Sequence, residues 1–482
     1  MGNVARKARA EEERLVSNAY VRALQAVREG IEGEEDLDQP LAHYFINSSH
    51  NTYLDGDQVN SRSSPSAVAR ALRLGVRVIE LDCFDKKENG TRRVFVTHGG
   101  TLTSKARFKD FVKTIRDNAF VASDLPVILT LENHCSREGQ VLIAQILHKY
   151  LRGSLYVPDG KVATPNGMRN RVLVRDKIRE TEEEEEDVES EEVRPVERLD
   201  RLVYVRNVKT SVDDLRAPRP WRDQTVKSSS YSEKKFQKIL SKVPEGSIEA
   251  WTCDGLIRVY PSGFRLDSSN FNPSAAWSKG VQIVALNVQA KDSRPLWLNA
   301  GKFAASPYVL KPKWMLGQAT SITTTTTTTT KVESHFRVQV HAARGWTGGW
   351  GREKSPDIYC QIIIHGGPDV WKKRTPKVSN STTPSWDDAY FDFPLVARDL
   401  AVCTIEFWDS DLASGDDFMG QVSLPANRVI KGKMITLPIL GDNLCFWERG
   451  GNPTCDVSFK ETISADNSAN GPPPPLLNGL VD

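Results

Sequence analysis

The feature that most constrains this chain is an alternation that stops and then starts again. From about residue 40 to 150, short β-prone segments (Tyr44 to Asn47, Val76 to Leu81, Val94 to Thr97, Val127 to Leu131) alternate with helix-like stretches at 65 to 74, 105 to 119 and 138 to 150. Strand and helix taken in turn at this spacing are what repeated βα units require, so they predict a parallel sheet, open or closed into a barrel. Between Glu180 and Glu192 nearly every residue is acidic, and the chain to about 218 stays rich in charge and proline. Such a stretch cannot bury enough apolar surface to fold alone and reads as a disordered insert. The alternation resumes with the helix-like 232 to 241, then Ile257 to Tyr260 and Val281 to Leu286. One domain is therefore split by the insert.

A chain of 482 residues exceeds what one core fills at about 150 residues per domain, so further domains are expected. Residues 4 to 29 carry Leu15, Val16, Tyr20, Ala23, Leu24 and Val27 at helical spacing, the pattern of an amphipathic helix docked on a larger body. Eight threonines at 323 to 330 mark a linker. Beyond it, 333 to 460 shows short alternating strands between Gly, Pro, Asp and Ser turns, the signature of an antiparallel sandwich. The end, with Pro472 to Pro475, reads as a disordered tail. A net charge of +2 argues against whole-chain binding to a polyanion, so any basic site must be local. Seven scattered cysteines without a C-x-x-C pair fit reduced thiols better than a disulfide scaffold or a zinc site. No apolar run reaches the ~18 residues of a spanning helix. No signal-peptide core is visible at the amino end, and Arg6 stands where a myristoylation motif has Ser or Thr.

Four clusters carry chemistry. His50-Asn51 follows the first strand-like segment. Glu80 and Asp82 sit two apart in an apolar run, hence on one strand face, where like charges need a positive partner. His98 ends the segment Val94 to Thr97, and Glu132 ends Val127 to Leu131. In a parallel barrel the carboxyl ends of all strands open on one mouth, so the four clusters become one site. Three carboxylates and an Asn oxygen are hard ligands suited to Ca²⁺ or Mg²⁺, which leaves two imidazoles for proton and charge work. Phosphodiester cleavage is the chemistry such a set serves.

The segments His43-Tyr-Phe-Ile-Asn-Ser-Ser-His-Asn-Thr-Tyr-Leu, Val78-Ile-Glu-Leu-Asp-Cys-Phe-Asp, Thr97-His-Gly-Gly-Thr-Leu-Thr and Ile128-Leu-Thr-Leu-Glu-Asn-His closely resemble the X half of the catalytic barrel of eukaryotic phosphoinositide-specific phospholipase C. Arg258-Val-Tyr-Pro-Ser-Gly, Asp267-Ser-Ser-Asn-Phe and Gly280-Val-Gln-Ile-Val-Ala-Leu-Asn-Val-Gln resemble its Y half. The resemblance implies a TIM-type (β/α) barrel split by the acidic insert and followed by an antiparallel β-sandwich C2 domain. The expected layout is a helical remnant at 1–39, the X half at 40–179, an acidic disordered X/Y linker at 180–218, the Y half at 219–317, a Thr-rich linker at 318–332, the C2 domain at 333–460 and a tail at 461–482.

By the same resemblance, Asn51, Glu80, Asp82 and Glu132 match the calcium ligands, and His50 and His98 the catalytic histidines. The implied reaction turns phosphatidylinositol 4,5-bisphosphate and related lipids into diacylglycerol and inositol trisphosphate. The inositol 2-hydroxyl attacks with a carboxylate of the Glu80 and Glu132 set as base, a cyclic phosphate forms, His50 stabilises the phosphorane and His98 protonates the leaving oxygen. Arg175, Lys177, Ser230, Arg258 and Tyr260 match the headgroup contacts, with Arg175 where the family has Lys. The acidic run matches an autoinhibitory linker. Asp357, Asp409, Asp411 and Asp417 match C2 calcium-loop positions, although Gly345-Trp-Thr-Gly-Gly-Trp-Gly lacks the early Asp of that loop. Trp346 and Trp350 there would either anchor in a bilayer interface or pack the turn. The layout, without EF-hand ligands or a pleckstrin-homology domain, resembles the plant or protist type. The implied protein is a cytoplasmic enzyme peripherally associated with the plasma membrane, its partners being phosphoinositides and an anionic surface met through the C2 domain, with no nucleic acid. The rival reading is a catalytically inactive calcium- and lipid-binding scaffold of the same fold, which would need a broken position among the six catalytic and metal residues. A glycerophosphodiester-cleaving barrel would need neither the headgroup set nor a C2 domain.

Overall fold

The computed structural model describes residues 25, 27–177, 198–216, 226–290, 294–316, 332, 334–347, 355–366, 370–411, 415–441 and 452–463. The acidic run, the threonine tract, the expected tail and most of the amino-terminal helix lie outside these residues. The first body contains β1 (Tyr44–Ser49), β2 (Val78–Glu88), β3 (Thr91–Val96), β4 (Ala106–Arg107), β5 (Val127–Asn133), β6 (Val172–Asp176), β7 (Val203–Asn207), β8 (Val226–Ser232), β9 (Leu256–Tyr260), β10 (Ile283–Leu286) and β11 (Tyr308–Leu310). β1, β2 and β5 to β10 run parallel, each bonded to the next. The ring closes where β10 meets β1, with Ile46 opposite Ile283, and β1 meets β2, with Ser48 opposite Val78. The sheet is a closed barrel of the TIM type.

Strand periodicity sorts the inward side chains into layers. At the amino end Ile46, Val78, Ile128, Leu173, Leu256 and Ile283 belong to one buried apolar cluster. Two residues further along the same faces stand Ser48, Glu80, Thr130, Arg175, Arg258 and Ala285, and two further again stand His50, Asp82, Glu132, Lys177, Tyr260 and Asn287. The barrel is thus plugged with hydrocarbon at one end and turns polar toward the other. On the outside, helices Pro65–Arg73, Phe108–Asn118 and Arg137–Leu151 press apolar stripes against the strands, with Val68, Ala71 and Leu72 from the first, Phe111, Val112 and Ile115 from the second and Ile143, Ala144 and Leu147 from the third.

Two expectations change. Val94 to Thr97 does not contribute a barrel strand, because β3 pairs antiparallel with β2, Cys83 opposite Val96. β2 runs past the mouth for a further turn of the pleat, and β3 brings the chain back, so His98 reaches the mouth from above it. The span read as a disordered insert to 218 contains β7 and a short helix, Val212–Arg216. Val203-Tyr-Val is too brief to stand out among charged neighbours, yet without it the parallel ring could not close.

The second body holds β12 (Ser334–Arg344), β13 (Ile358–His365), β14 (Val370–Arg374), β15 (Tyr390–Leu395), β16 (Val402–Asp409), β17 (Asp417–Pro425), β18 (Met434–Pro438) and β19 (Thr454–Ile463). They form two four-stranded antiparallel sheets, β15-β12-β19-β18 and β14-β13-β16-β17, packed over a shared apolar core. Helix Arg294–Lys302 of the barrel packs on β16 and β17, where Trp297 stacks on Phe418 with ring centroids 4.6 Å apart. The described end of the amino-terminal helix docks on the sandwich, with Val27 inside its core cluster.

Candidate active site

At the mouth, Glu80 and Asp82 rise from β2 and Glu132 from β5, where Asp82 and Glu132 are direct neighbours across the ladder. One carboxylate oxygen from each lies within 4.8 Å of the others. Burial, with Glu80 and Glu132 alongside, pushes the Asp82 carboxyl well above the usual range. Its Oδ1 is buried without a hydrogen-bond partner. Burial also opposes charge on Glu80, but Arg258, His50, the Asn51 N–H and Arg175 together hold it below the ordinary value. Arg258 on β9 is the positive partner the pair requires, with Nη2 2.5 Å from Glu80 Oε2. An orphaned carboxylate oxygen among three crowded acids is the donor set a hard divalent cation fits.

Asn51 sits at φ 43°, a left-handed conformation that Asn tolerates better than most residues. That turn directs its N–H to Glu80 Oε2 at 3.0 Å. Its Nδ2 donates to Gln58 Oε1 at 2.8 Å, so the side-chain atom it can offer a cation is the carbonyl oxygen. The His50 Nδ1 bonds Asn287 Oδ1 at 2.8 Å, and the ring stacks on Tyr260 with centroids 5.6 Å apart. Burial lowers the His50 pKa to about 4. His98 Nδ1 donates to the Gln58 carbonyl at 2.6 Å, which leaves Nε2 for proton exchange. Gly99 follows because Phe84 lies beneath the loop: a Cβ there would come 2.7 Å from its ring.

Two profiles described as the phosphatidylinositol-specific phospholipase C X and Y domains match residues 37–178 and 199–314, and a C2 domain profile matches 334–438. Phosphoinositide phospholipase C 1 of Arabidopsis thaliana is 31% identical over 438 residues, covering 83% of this chain and 76% of that protein. This chain belongs to the phosphoinositide phospholipase C family. The human 1-phosphatidylinositol 4,5-bisphosphate phosphodiesterase delta-1 is also 31% identical, with 57% of its length covered. The crystal structure of L. pealei PLC21 superposes with a TM-score of 0.73 at 28% identity, over 90% of this chain and 57% of that one.

Within this family fold the candidate headgroup residues lie at different depths. Arg175 is buried in the middle layer rather than displayed as half of a rim clamp, and burial lowers its pKa to about 9. Its guanidinium is engaged by Ser228 at 3.1 Å, Asn207 at 3.0 Å and Ser230 at 2.7 Å. Lys177 lies just beyond β6, exposed, with its N–H on Asp176 Oδ1. Spacing of two gave them one face but not one level. Tyr260 faces inward as expected, though its ring is taken by His50 and by Arg258, whose guanidinium carbon stands 4.6 Å from the centroid.

The four C2 acids do not form a second acidic cluster: among the described residues, only the barrel trio gathers three ligand oxygens. Asp357 is satisfied within the protein, its Oδ2 by Lys377 at 2.7 Å and its Oδ1 by the Asn380 N–H at 2.9 Å. Asp409 accepts the Asp357 N–H at 2.7 Å, and Asp417 opposes Asp409 across β16 and β17. A lysine thus pairs with one of the four acids at this loop. Trp346 is not a membrane anchor, since it is buried and donates to the Met419 carbonyl; Trp350 lies outside the described residues.

Sequence reasoning missed Gln58, Asn287 and an apolar rim. Asn287 was legible, two residues past inward-facing Ala285. Gln58 lies in a loop, where no period points to it. Leu102 and Phe264 are more than four-fifths exposed, and Leu102 and Leu266 bond through their backbones to Val59 and Gln58 beside His98.

Proposed function

We propose that this chain is a calcium-dependent phosphoinositide phospholipase C that releases diacylglycerol and inositol trisphosphate from phosphatidylinositol 4,5-bisphosphate and related lipids. The observation that carries the reading is the convergence of Glu80, Asp82 and Glu132, from two adjacent strands, on one mouth with His50 and His98. Asn51, Glu80, Asp82 and Glu132 would hold the cation. When bound, Ca²⁺ acidifies the inositol 2-hydroxyl and offsets charge on the phosphoryl oxygens.

The chain's own groups account for the rest of the chemistry. The carboxylate set offers a base for the 2-hydroxyl proton. His50 is oriented by Asn287, and the approach of a phosphodiester anion favours a second proton on its ring, which then bonds the charged phosphoryl oxygen. His98 delivers a proton to the departing diacylglycerol oxygen and takes one from water when the cyclic phosphate opens. Lys177 and Ser230 suit a ring bearing phosphates, with Arg175 buried beneath them and bonded to Ser230 Oγ at 2.7 Å.

No described helix is long and apolar enough to cross a membrane. Leu102, Phe264 and Leu266 around the mouth give the enzyme an apolar rim for the lipid surface, and the C2 domain a second contact, which fits a cytoplasmic protein held peripherally at the plasma membrane. Inositol phosphates released from mixed micelles of each phosphoinositide test the reading. Activity should rise with added Ca²⁺ and vanish with chelator, and His50→Ala and His98→Ala should each lower turnover about 10²-fold or more. Wild-type protein inert on every phosphoinositide at saturating Ca²⁺ would return the scaffold reading.

A further inference from the structure

One residue missed by the sequence reading bonds Asn51 and the His50 partner Asn287 through its side chain and His98 through its backbone. Gln58 is buried. Its Nε2 donates to Ser268 Oγ at 2.7 Å, and that hydroxyl in turn donates to the Gly56 carbonyl, so the amide cannot be reversed without placing Oε1 against an acceptor already committed. Its Oε1 must then accept, and it accepts from Asn51 Nδ2 at 2.8 Å. The same Nε2 reaches Asn287 Oδ1 at 3.3 Å. That contact holds Asn287 Oδ1 as the acceptor, together with a long 3.4 Å bond from Asn287 Nδ2 to the Ser269 carbonyl, while the Asn287 main-chain N–H donates to Asn270 Oδ1. With Oδ1 an acceptor only, the His50 Nδ1 facing it has to carry the hydrogen. The main-chain carbonyl of Gln58 imposes the same on His98.

We propose that Gln58 is the positioning residue of this site: through its side chain it fixes which atom of Asn51 faces the cation and which nitrogen of His50 is bare, and through its backbone it fixes the same for His98. The contact also joins the two halves of the interrupted barrel, since Gln58 follows β1 and Asn287 follows β10. This assignment rests on the proposed function for its kinetic consequences but not for its spectroscopic ones.

Two variants separate the roles. Gln58→Leu removes both side-chain contacts. Gln58→Glu is isosteric, keeps an acceptor for Asn51 Nδ2 and replaces the donor toward Asn287 with an acceptor. In protein labelled with ¹⁵N-histidine, with signals assigned from His50→Ala and His98→Ala, both variants should shift the His50 ring nitrogens away from the Nδ1–H pattern. The His98 pattern should stay, because a backbone carbonyl holds it. Ca²⁺ affinity measured by calorimetry should fall severalfold in Gln58→Leu and hold or tighten in Gln58→Glu. Both should lose about 10- to 100-fold in kcat with KM little changed, the size expected for reacting groups misplaced by a fraction of a bond length. Unshifted His50 nitrogens in both variants would overturn the proposal, and so would equal shifts of His50 and His98, which would mean general loosening. Should Gln58→Leu fail to fold, Gln58→Glu carries the His50 readout alone. If the wild-type protein proved inert on phosphoinositides, the spectra and calorimetry would still decide the role of Gln58.

Discussion

Glu80 and Arg258 are a buried ion pair, 2% and 5% exposed, whose members come from opposite halves of the chain. Removing one partner of such a pair leaves the other charge without compensation in a low-dielectric site, which costs about 3–5 kcal/mol, whereas removing both costs much less. In chelator, Glu80→Ala should therefore lower stability to urea by about that amount, and adding Arg258→Ala should recover part of it. Strictly additive losses would mean that Arg258 is not what compensates Glu80. At this scale the sequence was informative where a strand's period of two applied. Val78, Glu80 and Asp82 announce an inward face, and so do Leu256, Arg258 and Tyr260. What the period could not supply was depth: Arg175 and Lys177 share a face, yet one is sealed among Ser228, Ser230 and Asn207 and the other stands in solvent.

Among the elements, the overshoot of β2 matters most. Beyond the ladder with β5, its Asp85 accepts the Ser136 N–H at 2.7 Å and the Ser136 hydroxyl at 2.8 Å, and it pairs with Arg92 of β3. Ser136 is the amino-terminal cap of helix Arg137–Leu151, accepting the Gly139 N–H. One carboxylate thus ties the hairpin leading to His98 to the loop that follows Glu132. Burial opposes its charge, but the Ser136 and Arg92 bonds leave the Asp85 carboxyl below the ordinary range. Asp85→Ala should cost about 1–3 kcal/mol in urea unfolding, the cost of stranding the Ser136 and Arg92 donors. A loss below a few tenths would show that the hairpin is held by its ladder alone. The alternation of strands and helices was legible because each element carries its own apolar stripe. That β3 runs backwards was not, since a returning strand and a barrel strand have the same composition.

In the whole molecule, barrel, sandwich and amino-terminal segment meet around Lys302. This lysine is buried, with its ammonium 4.0 Å from the Phe45 ring centroid, in the wall of a cavity of about 250 Å³ shared with Glu35, Asp399 and Arg428. Burial lowers its pKa to about 7. Because the folded value lies below the unfolded one, the unfolded chain binds more protons between about pH 7 and 10.5, and stability gains with pH by at most about 1.4 kcal/mol per unit from this group. Lys302→Met should be more stable than wild type at pH 7, with the gap closing toward pH 10. Buried cysteines act in the opposite sense above about pH 8.5 but cancel in the comparison. A gap independent of pH would mean that Lys302 folds fully charged. The sequence by itself determined the longer apolar strands, that their inward faces turn from apolar to charged along their length, and which acids and imidazoles stand at their ends, because these are consequences of local periodicity and residue chemistry. Tertiary structure alone decided that Val203–Asn207 completes the ring, that Arg258 answers Glu80 across the halves, that Lys377 neutralises Asp357, and that a loop glutamine orients both histidines. Each of those depends on contacts between residues far apart in the chain, whose distance no local pattern encodes.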